Sequence, residues 1–171
     1  MKKSSLLFSA LLAIFVFLAA TPVFAGQPRL MGTYGDWEVH VFYEDNKKVC
    51  YMASQPKFKE GNYTKRGEPF ALITHRPSDN TRDVFSYITG YTYKAGSDAT
   101  VEVDDKVFTL FTQDETAWGR DVETDKKLVR AIRDGNKLVI KGTSARGTLT
   151  TDTFSLKGSS KAYERVSQEC L

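Results

Sequence analysis

Apolar and polar residues alternate along one short stretch of this chain after another, and that period of two limits the fold more than any other feature. In "DWEVHVFY", Trp37, Val39, Val41 and Tyr43 fall on one face of an extended segment, and Glu38, His40 and Phe42 on the other. "KVCYMAS" repeats the pattern, with Val49, Tyr51 and Ala53 opposite Cys50 and Met52. "FALITH" reads as a more fully buried strand ended by Pro77, while "DVFSYITG" and "ATVEVDDKVFTLFT" supply three more strands, the last two joined by a tight turn at Asp104-Asp105. Residues 55–69, "QPKFKEGNYTKRGEP", read as a basic, turn-rich loop.

The alternation changes to helical spacing in "DKKLVRAIRDG". There Leu128, Val129, Ala131 and Ile132 share one side, with Thr124 as N-cap, Asp125 near the positive end of the helix dipole and Gly135 placed to take a left-handed C-terminal position. "NKLVIKG" and "TLTTDTFSL" then form a hairpin that turns near Ala145-Arg146-Gly147, and a short helix over 161–167, capped by Ser160, closes the chain. The expected fold is mainly β: an antiparallel β-sandwich, compatible with a jelly roll, with one short helix before the last hairpin and a short C-terminal helix.

The N-terminus reads as an export signal. Lys2 and Lys3 precede the apolar run "LLFSALLAIFVFLAA", and "TPVFA" offers a cleavage site after Ala25. Residues 1–25 are therefore expected to leave, and residues 26–171 to form a single domain, large enough for one core. The remaining segment holds 22 basic and 21 acidic residues, so the formal charge of +3 falls to +1. A chain this balanced lacks the basic field that nucleic acid needs, and no later segment is long and apolar enough to span a bilayer as a helix. Two cysteines, Cys50 and Cys170, suit one disulfide in an exported protein, and there is no C-x-x-C for redox chemistry.

Catalytic patterns are weak. The two histidines, His40 and His75, have no second His or Cys at metal-ligand spacing. No G-x-S-x-G or S-x-x-K motif marks an activated serine, although His75 could approach a serine through the fold. The acid pairs Glu102/Asp104 and Asp114/Glu115 sit at a strand end and in a polar loop, where carboxylates are mostly solvated. The expectation is a protein without catalytic residues, cofactor or metal.

Recognition has better candidates. Trp118 and Arg120 lie in "TQDETAWGRD", a loop before the helix, although Trp118 could instead cap the core beside Leu128 and Ile132. Tyr87, Tyr91 and Tyr93 cluster around Gly90, as a strand end or a carbohydrate platform would place them. Lys57, Lys59, Lys65 and Arg66 suit an anionic surface or an ordinary solvated loop. "KGTSARGTLTTDTFSL" is crowded with hydroxyls that suit the outer faces of strands. Within it, Leu149 is out of phase with Phe154 and Leu156, which predicts a bulge or strand break near residues 150–152. The Arg146 turn is the first place to look for a partner.

The chain from Trp37 to Cys170 resembles the invasion-associated locus B family of exported bacterial proteins. The resemblance is carried by "DWEV", "CYMASQP", "GYTYKAGSDATVEVDDKVFTLFT", "AWGRD", "DKKLVRAIRDG", "VIKGTSARGTLTTDTFSLKG" and the terminal cysteine. The chain departs from the family after "SLKG", where Ser159 and Ser160 stand in place of a common aromatic. The resemblance implies a β-rich periplasmic or surface-associated domain bridged by Cys50 and Cys170. It carries a link to invasion in some pathogens and carries over no active-site residues. The expected role is an accessory or binding module that presents loops to a protein or glycan partner at the envelope or a host surface. A periplasmic domain that binds a small ligand or carbohydrate is the alternative.

Overall fold

The computed structural model describes residues 26–171, so the signal expected over residues 1–25 lies outside the described residues. Eleven strands form one antiparallel sheet: β1 (Arg29–Tyr34), β2 (Trp37–Glu44), β3 (Lys47–Ser54), β4 (Phe58–Gly61), β5 (Phe70–Arg76), β6 (Thr81–Ile88), β7 (Asp98–Val103), β8 (Lys106–Gln113), β9 (Thr116–Trp118), β10 (Lys137–Thr143) and β11 (Leu149–Ser155). Their order across the sheet is β1-β2-β3-β5-β6-β9-β8-β7-β10-β11-β4. The sheet curls until its flanks meet. The Trp37 indole N–H on β2 donates to the Ser155 carbonyl on β11 at 3.2 Å, and the rings of Tyr87 and Phe154 stand 6.2 Å apart. The two layers expected of a sandwich are thus two halves of one continuous sheet.

The period of two explains the core. Trp37, Val39 and Val41 point inward on β2, Ala71, Ile73 and His75 on β5, Val101 and Val103 on β7, and Leu138 and Ile140 on β10. Helix α1 (Val122–Asp134) adds Leu128 and Ile132 to this core, and α2 (Ser159–Glu169) adds Ala162 and Val166. Asp45 and Asn46, both at positive φ (49° and 62°), make the β2–β3 turn, a conformation that short polar side chains tolerate.

Several local details differ from the sequence reading. Strands β4 and β9 form in segments read as loops. The N-cap of α1 is Asp121, whose carboxylate accepts the Thr124 N–H at 2.7 Å, so Thr124 lies inside the first turn. Gly135 is extended (φ −92°, ψ −179°) rather than left-handed. Helix α2 begins earlier, at Ser159, behind a left-handed Gly158 (φ 89°) where an added Cβ would lie 2.1 Å from the Tyr34 carbonyl oxygen. That close approach docks the start of α2 against the β1–β2 turn.

Cys50 on β3 and Cys170 just beyond α2 form a disulfide with a Cα–Cα distance of 5.9 Å. It fastens the segment after α2 to β3, the third strand of the sheet, across a sequence separation of 120.

Candidate functional site

Strand β11 pairs with β10 residue by residue from Leu149 opposite Thr143 to Ser155 opposite Lys137, without a bulge. The irregularity expected near residues 150–152 is absent, and the phase conflict resolves differently. Leu149 is left 60% exposed, and the inward positions go to Thr150, Asp152 and Phe154. A carboxylate therefore occupies the interior, with Asp152 at 0% exposure.

Its partner comes from the loop between β4 and β5. Arg66, whose side chain is only 3% exposed, grips Asp152 with both guanidinium arms, Nη1 to Oδ1 at 2.9 Å and Nη2 to Oδ2 at 2.5 Å. Nη2 also donates to the Tyr87 hydroxyl at 2.9 Å, and Nε to the Thr89 carbonyl at 2.7 Å. The Tyr87 hydroxyl donates in turn to Asp152. A buried charge is tolerated when it is paired and well hydrogen-bonded, and here four of the five guanidinium N–H groups have partners. Burial alone would lower the Arg66 pKa, but the Asp152 carboxylate raises it above the ordinary arginine value, so the guanidinium stays charged. Burial, reinforced by Asp152, drives the Tyr87 hydroxyl well above the ordinary tyrosine value. Reading the basic stretch as uniformly solvated is therefore wrong at Arg66, the residue that anchors it.

The anchored loop builds one wall of a cleft. The Arg66 guanidinium lies over the Tyr91 ring at 5.0 Å and the Tyr63 ring at 5.6 Å. The Tyr91 hydroxyl is 2.7 Å from that of Thr150, and its ring meets Tyr93 edge-on at 5.5 Å. Gly67 donates its N–H to the Gly90 carbonyl at 2.9 Å, which seats the loop on the end of β6. Gly90 has φ 75°, and a Cβ there would lie 2.4 Å from the Gly67 backbone. The opposite wall is the hairpin turn, closed by Ser144 N–H to Thr148 carbonyl at 2.9 Å and carrying Arg146. The cleft between them has a volume of about 580 Å³ and is lined by Tyr63, Lys65, Arg66, Tyr91, Arg146, Thr148 and Thr150, among others.

Of the residues singled out in the sequence, Tyr91 and Arg146 come together here. Trp118 and Arg120 do not line the cleft. Trp118 is half-buried on the outer face of β9, beside the inward Ala117, and stacks on Phe111 with centroids 5.6 Å apart. It is not part of the core that holds Leu128 and Ile132. Arg120 is exposed and paired with Asp98 at 2.6 Å. Tyr87 and Tyr93 are interior residues, and burial raises the Tyr93 pKa far above its ordinary value. Lys65, read as part of a basic loop, lines the cleft as well; the residues missed were Tyr63, Thr148 and Thr150, together with the role of Arg66. The available signal was Asp152, a carboxylate in core phase that required a cation from elsewhere.

The histidines and the Glu102/Asp104 pair have structural partners, while Asp114 and Glu115 are exposed. His40 Nε2 is 3.0 Å from Glu38, and its ring stacks on Tyr51 at 5.0 Å. His75 sits between Ser167 and Asp83, a grouping that superficially resembles a hydrolytic triad. Its Nε2 is 3.5 Å from Ser167 Oγ, but its Nδ1 accepts the Asp83 backbone N–H at 3.0 Å. The neutral ring then carries its proton on Nε2, which leaves no lone pair there to take a proton from Ser167. Burial lowers the His75 pKa despite nearby Asp83, which favours this neutral form. Glu102 pairs with Lys141 at 2.7 Å, and Asp104 accepts the N–H groups of Asn136 and Lys137. No group of three or more His, Cys, Asp or Glu among the described residues could hold a metal ion, and no described helix is long and apolar enough to cross a membrane.

Two comparisons bear on kinship, and comparison with curated proteins gives no match. In the crystal structure of invasion associated protein B from Bartonella henselae, 95% of the chain aligns with 81% of this one, at a TM-score of 0.56 and 21% identity. At that identity the likeness speaks for the fold. The family model described as invasion associated locus B (IalB) protein matches residues 37–167, which include both walls of the cleft. This chain belongs to the invasion associated locus B family.

Proposed function

We propose that the protein is an exported, non-enzymatic envelope component whose role is recognition, performed at the cleft between the 62–69 loop and the Arg146 turn. The carrying observation is the convergence of Tyr91 and Arg146, far apart in sequence, on a concave site whose wall is fixed by a buried ion pair. A concave site with aromatic walls, a few polar groups and a rigid support suits a small polar ligand or a sugar better than a flat protein face. Export is supported by the N-terminal signal pattern and by the Cys50–Cys170 bridge. A link to host-cell invasion is supported only by the names of the family and of the structural neighbour.

A second reading, a protein partner, is favoured by Phe58 on the edge strand β4, which is 67% exposed. Photo-crosslinking in living cells separates the two. A photoreactive residue replacing Thr148 or Thr64 is expected to give adducts, while one replacing Val107 on the outer face gives none. Adducts from Phe58 alone would instead support the protein-partner reading. Fractionation should find the chain outside the cytoplasm with Gly26 at its N-terminus.

A further inference from the structure

We infer that the cleft takes a short glycan bearing an oxyanion, either a carboxylate or a phosphate; this rests on the cleft being the recognition site. Three cations line it, Lys65, Arg66 and Arg146, and no Asp or Glu is among the described residues that do. Arg66 is neutralised by Asp152 beneath the surface. Lys65 and Arg146 are exposed, stand on opposite walls and form no ion pair with a described carboxylate. The segment from residue 26 onward carries a net charge of only +1, so these two cations make a local field that the molecule as a whole lacks. Such a field, focused by a cleft, raises the local concentration of anions. The planar fork of an arginine also matches a carboxylate or phosphate with two parallel hydrogen bonds.

The rest of the lining points to a sugar rather than a bare ion. The side chains of Asn62, Thr64 and Thr148 face the cleft without a hydrogen-bond partner among the described residues, and so remain free for ligand hydroxyls. Tyr91, fixed through Thr150 and Arg66, supplies an aromatic wall of the kind on which sugar rings rest. A volume of about 580 Å³ accommodates a few sugar units.

The test uses the protein expressed from its full sequence and recovered as the cell processes it. Nuclear magnetic resonance titrations would compare trigalacturonate, a phosphorylated maltotriose, neutral galactotriose and inorganic phosphate. The expected result is that one or both charged sugars perturb Tyr91 and the 144–148 turn, and bind at least about tenfold more tightly than galactotriose. Affinity should fall about tenfold in Arg146→Gln and weaken with added salt, with the melting temperature of the variant checked against wild type. The two charged arms show whether carboxylate or phosphate is preferred. Galactotriose binding as tightly as the charged sugars would overturn the anionic inference and leave the recognition reading standing. Inorganic phosphate binding as tightly as the phosphorylated sugar would reduce the site to a simple ion site. Failure of both charged sugars to bind would also overturn the inference, and crosslinking from residue 148 then judges the recognition reading separately.

Discussion

Arg66 and Asp152 form a two-armed ion pair inside the curled sheet, at 2.9 and 2.5 Å, although 86 positions separate them in sequence. The pair joins a loop to the interior of β11, and the same arginine backs the Tyr63 and Tyr91 rings of the cleft. Removing one partner strands the other charge in the core. Arg66→Ala or Asp152→Asn is therefore expected to cost about 3–5 kcal/mol, read from the midpoint of urea unfolding. The double variant Arg66→Met/Asp152→Leu should recover most of that loss, because an apolar pair removes the desolvation penalty along with the attraction. A double variant as unstable as the singles would contradict this view of the pair.

Asp125, near the start of α1, accepts the Phe85 N–H at 3.3 Å, and burial pushes its carboxyl up to about 6 despite that bond. A folded pKa above the unfolded value means that the native state holds the proton more tightly. The associated stability is fully present below about pH 4 and is lost as pH rises through about 6. Asp125→Asn keeps the acceptor without the titration, so its stability relative to wild type should rise from pH 4 to pH 7. The ceiling on that rise is roughly 3 kcal/mol at about 1.4 kcal/mol per pKa unit. Urea midpoints of both proteins at the two pH values measure it, and a constant difference would show that Asp125 does not titrate there.

The Cys50–Cys170 bridge closes most of the described chain. In the chain-entropy model, a loop of this length stabilises the fold by roughly 5 kcal/mol. Cys50→Ser/Cys170→Ser should lower the urea midpoint accordingly and loosen α2 first, because the bridge lies just beyond its last residue. An unchanged midpoint in the double variant would show that α2 docks without the bridge.

Gly90→Ala places a Cβ against Gly67 in a left-handed conformation that alanine adopts poorly. The expected cost is about 1–3 kcal/mol, with resonances of the 62–69 loop displaced. Trp118→Ala, on the outer face, should leave those resonances in place.

The fold was legible where burial follows the period of two. Strands β2, β3, β7, β8 and β10 sit in segments that the alternation marks, because each buries one face, and β5, read as a more fully buried strand, alternates as well. Strand β4, by contrast, is exposed at every position, and β9 is only three residues long, so neither carries a periodic signal. The cap of α1 was misplaced because Asp121 and Thr124 are both residues that cap helices well, and only the backbone distinguishes them. In the cleft, Tyr91 and Arg146 were legible as an aromatic beside a glycine and a basic turn. Arg66 was hidden because nothing local separates a lysine or arginine that stays in water from one drawn inward by a carboxylate 86 positions away. The same pairing explains the hydroxyl-rich β11: its outward Thr151, Thr153 and Ser155 are ordinary strand residues, and its interior Thr150 and Asp152 support the cleft.

Hydrogen exchange in Asp152→Asn tests most directly whether the buried pair builds the cleft. The Gly67 amide, bonded to the Gly90 carbonyl, and the amides of Ser144 and Gly147 in the hairpin turn report its two walls. These amides should lose far more protection than those of Val39 and Met52 in the β2–β3 pair. A uniform loss of protection across the chain, with the cleft amides no faster than the strands, would contradict this expectation.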